Sequence, residues 1–225
     1  MRKVIGAVAV VFGFVGIASA QQISTRVELN AILSSGYEYT DAFEGYNIGV
    51  GGSDNTNLTS LNSTSIVNGQ GPGLVGPGVT YSTYDTGFTG EQDFLFWNGP
   101  GYFGGASKNI ESGQQGIEFT YTLNVNAMGV DLSDFQGFGD TYTAYVYNGI
   151  NLVGTSSGTL SGPTPTFFGW QNAGGITSVI LVDSVNYWSP IVDEHSFGFA
   201  PTPEPASMAA LTLGSLALLR RRRKA

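Results

Sequence analysis

The chain has 225 residues, of which 9 are basic, 17 acidic, one histidine and none cysteine, for a formal net charge of −8. The lack of cysteine excludes disulfides, thiol catalysis and thiolate metal sites, and the single histidine, His195, excludes any multi-histidine centre. Most of the bases sit at the two ends, so residues 21–200 hold only Arg26 and Lys108 against 16 acids, a net charge of about −14 that repels nucleic acid and anionic membranes.

The first element in chain order is an address. Arg2 and Lys3 precede an apolar run from Val4 to Ile17, and Ala18-Ser19-Ala20 places small residues where a signal peptidase reads. This predicts a secretory signal peptide over residues 1–20, cut before Gln21; the alternative on the same pattern is a buried N-terminal helix. The 180 residues from Gln21 to Ala200 then suffice for one domain with a full core.

Within that body helix-period runs are missing, and short alternating stretches are separated by turn residues, which predicts an all-β, antiparallel sandwich. "VELNAIL" and "GVTYSTY" are early strand candidates. Between them runs "NIGVGGSDNTNLTSLNSTSIVNGQGPGLVGPG", a polar, glycine-rich connection of a length that is either functional or mobile. Its Asn57-Leu58-Thr59 and Asn62-Ser63-Thr64 match the N-glycosylation pattern, as common residues in polar loops often do. "DFLFWN" comes next, then "GIEFTYTLNV", whose Ile117, Phe119, Tyr121, Leu123 and Val125 alternate with polar residues. "TYTAYVYNGINLVGTSSG" reads as a hairpin turning at Asn148-Gly149, with a type I′ turn. "TFFGW", "ITSVILVDS" and "HSFGFA" complete about nine strands, and "ITSVILVDS" is apolar at both parities, as in a strand covered on both sides.

Chemistry is sparse. His195 stands beside Asp193 and Glu194 at the start of the last strand, where a solvated strand-edge histidine is expected; no G-x-S-x-G elbow accompanies it. With so many acids, pairs such as Glu91/Asp93 or Asp131/Asp134 arise by number alone and do not by themselves indicate glycoside hydrolysis. Exposed aromatics would stack on sugar rings, and Trp97, Tyr102, Trp170, Tyr187 and Trp188 fall in or beside turns. Tyr187 and Trp188, next to Pro190, are the candidate glycan contacts.

Past the body, Pro203-Glu204-Pro205 precedes an uncharged stretch from Ala206 to Leu219 and the cations Arg220, Arg221, Arg222, Arg223 and Lys224. Fourteen helical residues reach about 21 Å, short of a hydrocarbon core of about 30 Å, but arginine stems snorkel and clustered cations favour the cytoplasmic side. The segment is expected to anchor the chain in a membrane with the body outside; a surface amphipathic helix or a nucleic-acid-binding tail is the alternative.

This three-part pattern resembles the PEP-CTERM sorting signal. The resemblance implies recognition by an exosortase, a membrane-embedded cysteine peptidase expected to cut near Pro-Glu-Pro and release or transfer the body. It also implies a bacterium with an outer membrane that makes exopolysaccharide. The body more loosely resembles the jelly-roll ectodomains attached to such signals, akin to carbohydrate-binding modules, on "DAFEGYNIG", "FFGW" and "IVDEHSFGFA". That resemblance implies a structural Ca²⁺ between first and last strands, for which Asp41, Glu44, Asp193 and Glu194 are the candidate ligands. The reading is an exported, non-enzymatic component of the exopolysaccharide or biofilm matrix, with a lectin-like module as alternative and a secreted glycoside hydrolase third.

Overall fold

The computed structural model describes residues 19–87, 92–102, 106–133, 141–160, 164–183 and 190–200. Among these residues it has twelve strands and one helix: β1 (Gln21–Ile23), α1 (Arg26–Leu33), β2 (Tyr37–Asp41), β3 (Ser53–Asn55), β4 (Ser60–Asn62), β5 (Val79–Tyr84), β6 (Leu95–Asn98), β7 (Asn109–Ser112), β8 (Gly116–Ser133), β9 (Thr141–Asn148), β10 (Asn151–Thr159), β11 (Thr166–Asp183) and β12 (Ile191–Phe199). Every pairing between them is antiparallel. The expected all-β class therefore holds.

The two long strands explain how one sheet makes two layers. The N-terminal half of β8 pairs with β5, and its C-terminal half pairs with β12. Likewise β11 pairs with β1 through Gly169–Gln171 and with β9 through Ser178–Asp183. The β8–β11 ladder breaks register between Gln171 and Ile176, where Gly175 takes φ +98° and the Asn172 side chain donates to Gly175 O at 2.7 Å. At this break the sheet bends. Residues of both halves then meet in one core: Phe119, Val146, Val179 and Leu181 from one, Met128, Val130, Leu132, Val192 and Phe197 from the other. The alternation read in "GIEFTYTLNV" holds through Tyr121, but Leu123 lies in the bend and is 37% exposed.

Three local expectations change. "VELNAIL" is helical, not extended. Thr25 caps it by accepting from the Glu28 amide at 3.2 Å, and the Glu28 carboxylate reaches back to the Ser24 amide at 3.0 Å. Leu29 and Leu33 then pack with Ile23 and Ala127, while Val27 points to solvent at 79% exposure. A strand would have put Val27 on the same face as Leu29 and Leu33. The hairpin turn is displaced by one residue: Asn148 pairs with Asn151, so Gly149 and Ile150 are central and only Gly149 has positive φ, the demand of a II′ turn. Finally, the long connection after Asp41 contains β3 and β4 and buries Leu61 and Val67 completely. Asn62 there accepts from the Thr64 amide and hydroxyl at 2.9 and 2.7 Å, so the second Asn-x-Thr builds an Asx turn.

Candidate functional site

The last strand organises the chemistry of the body. In β12, Asp193 pairs with Asp131 of β8 and Ser196 pairs with Gly129, so β12 spends three residue steps against two. The extra residue is a bulge at Glu194, which adopts φ +37°. A bulge inverts the parity of the residues beyond it. Val192 faces the core before it; without it Glu194 would come next inward and His195 would face outward. With it, Glu194 is spared burial and His195 is sealed in at 0% exposure. The solvated strand-edge histidine is thus corrected by one inserted residue.

His195 is held at both nitrogens: Nδ1 lies 2.8 Å from Tyr81 Oη and Nε2 lies 3.0 Å from Tyr121 Oη. Tyr81 donates its only proton to Asp41 Oδ2 at 2.6 Å, and the other Asp41 oxygen accepts from the Gly76 amide. These bonds fix the proton directions. A carboxylate only accepts, so Tyr81 Oη must accept from Nδ1–H, which leaves Nε2 to accept from the Tyr121 hydroxyl. Burial pushes the His195 pKa down to about 3 and holds both tyrosines well above their ordinary range, so ring and phenols are neutral. Burial also raises Asp41, opposed by the bonds from Tyr81 and Gly76. The rings of Phe119 and Phe197 cover the imidazole at centroid distances of 4.7 and 5.0 Å. The arrangement orders a core; its histidine has no nitrogen left to serve a substrate.

The four candidate calcium ligands are not brought to one centre. Asp41 serves Tyr81 and Gly76. Glu44 accepts from the Lys108 amide at 3.1 Å and pairs with Lys108 Nζ at 3.5 Å. Asp193 accepts from the Ser107 hydroxyl and from the Glu194 amide, and Glu194 pairs with Arg26 at 3.6 Å. Each carboxylate has its own partner, and among the described residues no group of three or more acids, histidines or cysteines is placed to hold a metal. The residues do not fit a shared Ca²⁺. Instead Arg26, at the start of α1, pairs with Asp131 at 3.0 Å and donates to Ser196 Oγ at 2.9 Å, fastening the helix to β8 and β12.

Of the aromatics read as sugar contacts, Trp97 and Trp170 are buried, their indole N–H groups donating to Phe43 O and Ser156 Oγ at 3.1 Å each. Tyr102 is half-buried on a turn, and Tyr187 and Trp188 lie outside the described residues. At the other end, Ala20 donates its amide to Val153 O at 2.8 Å and Gln21 opens β1 opposite Gln171; Ala18 is outside the described residues.

The exit of the body is clamped. Ala200 comes directly after β12, and the Asn126 side chain takes both of its backbone groups: Nδ2 donates to Ala200 O at 2.7 Å and Oδ1 accepts from Ala200 N at 2.8 Å. Asn126 is 1% and Ala200 8% exposed. Residues 201–224 match the model of the PEP-CTERM protein-sorting motif. This chain carries a PEP-CTERM sorting motif. The motif makes the chain an exosortase substrate, exported to the cell envelope or surface. It begins at the residue after the one Asn126 holds, so the fold runs up to the PEP-CTERM segment with no linker between them. A comparison with curated proteins finds none that matches the chain. Pro203, Glu204, Pro205 and the cations Arg220 to Arg223 and Lys224 lie outside the described residues, and among the described residues no helix is long and apolar enough to cross a membrane. Sequence reasoning missed Asn126 and the His195 chain because both depend on register across the sheet. Alternation did mark Tyr121 as inward-facing.

Proposed function

We propose that the protein is a non-enzymatic component of the extracellular matrix, delivered as a folded β-domain to the exopolysaccharide layer of a bacterium with an outer membrane. A signal peptide over residues 1–20 starts export, signal peptidase cuts before Gln21, and the hydrophobic segment with its cations holds the PEP-CTERM motif at the inner membrane for exosortase. The single observation that carries this reading is the motif at residues 201–224, directly after a body whose last residue is fastened. A structural role is supported by the sole histidine, whose two nitrogens are both engaged within the core, so that no general base of that type faces solvent. The acidity of the body suits a hydrated matrix and disfavours anionic polymers as partners.

Mass spectrometry of the protein isolated from the producing cells tests the reading. The expected mature species begins at Gln21 and lacks the residues after Pro-Glu-Pro. Recovery of an intact chain, with Met1 and Ala225 both present, overturns it.

A further inference from the structure

The outer face of the β9–β11–β8–β5 layer carries a groove lined by tyrosines. Its opposite side is core, with Val146, Val179, Leu181 and Phe119 fully buried. On the outer side Tyr84, Thr86, Tyr145, Tyr147, Ile180 and Val182 line an open groove of about 290 Å³, close to the roughly 300 Å³ at which ligand clefts begin. Ile180 forms its floor at 8% exposure, with Tyr145 directly opposite on β9 and Val182 two residues along.

The tyrosines of this groove are unlike those of the interior. Tyr46, Tyr81 and Tyr121 each have their hydroxyl engaged by an internal partner. The hydroxyls of Tyr84, Tyr145 and Tyr147 have none among the described residues, although each ring is half-buried. Rows of small hydroxyls continue the groove along the sheet. Ser178 and Thr120 stand beside Tyr147, and Thr143 and Ser157 bond to each other at 2.9 Å next to Tyr145. Glu118, the cross-strand neighbour of Ile180 on β8, brings the one charge of these rows.

We infer that this groove binds a neutral polysaccharide chain. Half-buried tyrosine rings offer apolar faces to the C–H side of pyranose rings, and their free hydroxyls, with those of serine and threonine, exchange hydrogen bonds with sugar hydroxyls. Glu118 accepts from a vicinal diol. A polyanion is disfavoured by Glu118 and by a body of about −14, and an apolar partner would leave three tyrosine hydroxyls unpaired. The inference rests on the extracellular reading above and names the ligand class within it.

Affinity electrophoresis of the full-length protein, in a detergent without a sugar head group, tests it. Gels contain glucomannan, hydroxyethylcellulose or soluble starch as neutral polymers, and alginate as the anionic one. Retardation by at least one neutral polymer and none by alginate is expected. Tyr145→Ala and Tyr147→Ala each weaken it at least tenfold, and Tyr145→Phe weakens it less because the ring remains. Should the alanine variants not fold, nitration of the wild-type chain by tetranitromethane supplies the same answer: the polymer protects Tyr84, Tyr145 and Tyr147 and leaves Tyr39 reactive. Four results overturn the inference: no retardation by any neutral polymer, retardation unchanged in folded variants, binding lost instead in Trp188→Ala, or self-association that vanishes in Tyr145→Ala. None of these touches processing at the two ends, so failure here and failure of the sorting reading are separately visible.

Discussion

A histidine that donates from one nitrogen and accepts at the other, inside a sealed core, has a single comfortable protonation state. His195 titrates near 6.5 in the unfolded chain and near 3 in the fold. Between those values the unfolded chain binds a proton the fold refuses. The contribution of His195 is therefore complete above pH 6.5 and is lost as pH falls, by up to about 1.4 kcal/mol per unit. Replacing it by phenylalanine leaves the Tyr121 hydroxyl without an acceptor. At pH 7 this costs about 1–3 kcal/mol; toward pH 4 the gap to the wild type narrows, because the variant has no proton to take up there. Glu111 runs the other way. Burial in β7 raises its carboxyl from 4.5 to about 7, against a hydrogen bond from Asn98. Between those values the fold keeps a proton that the unfolded chain releases, so stability declines as pH rises from 4.5 through 7. Glu111→Gln is expected to raise the melting temperature at pH 8, by up to about 3 kcal/mol in stability, and to leave it near wild type at pH 4. Thermal melts across pH 4–8 check both substitutions, and a Glu111→Gln melt lower than wild type at pH 8 refutes the second.

Helix α1 shows at the level of the element why parts of this fold were legible and parts were not. The strands were readable wherever one face is core and the other water, as in Ile117–Phe119–Tyr121, because burial alone imposes the period of two. α1 carries the same apolar residues with a different period. Its signals were Thr25-x-x-Glu28 and the spacing Leu29–Ile32–Leu33, and Val27 masked them by completing a false alternation. The break in β11 left a trace in Gly174-Gly175, which divided the strand into "TFFGW" and "ITSVILVDS" in the sequence, whereas the bulge at Glu194 left none, since it is a mismatch between two strands far apart in sequence. The helix covers a site where the sheet has no side chain: a Cβ on Gly129 would lie 2.8 Å from Leu29 Cδ2 and 2.5 Å from Phe167 Cζ. Leu29→Ala empties that contact and should cost about 2–5 kcal/mol, a fall of roughly 10 °C in Tm for a domain of this size. Thr25→Ala removes only the cap and should cost about 1 kcal/mol. Equal losses from the two in chemical denaturation would mean that the helix is held by its end rather than by its apolar face.

At the level of the whole molecule, the question is how close a processing peptidase in the membrane comes to a folded domain. Ala200 is fastened by Asn126, and Pro203 is three residues further along. Three residues span at most about 10 Å even when fully extended, so Pro203 comes within that reach of the last fastened residue. Asn126 is what sets this limit, because it replaces the missing strand partner of Ala200 with a side chain from β8. Asn126→Ala frees a buried donor and acceptor at the exit and costs about 1–3 kcal/mol, and the end of β12 frays before the rest of the domain opens. Limited proteolysis of the full-length protein should then show cleavage moving inward: confined to positions after Ala200 in the wild type, and reaching Phe197 to Phe199 in the variant. In the producing cells the freed residues lengthen the segment available to exosortase, so conversion to the mature species should be at least as fast in the variant as in the wild type. A wild type already cut within β12 would remove the clamp from the account, and slower maturation of Asn126→Ala would mean that the peptidase needs the rigid exit rather than tolerates it.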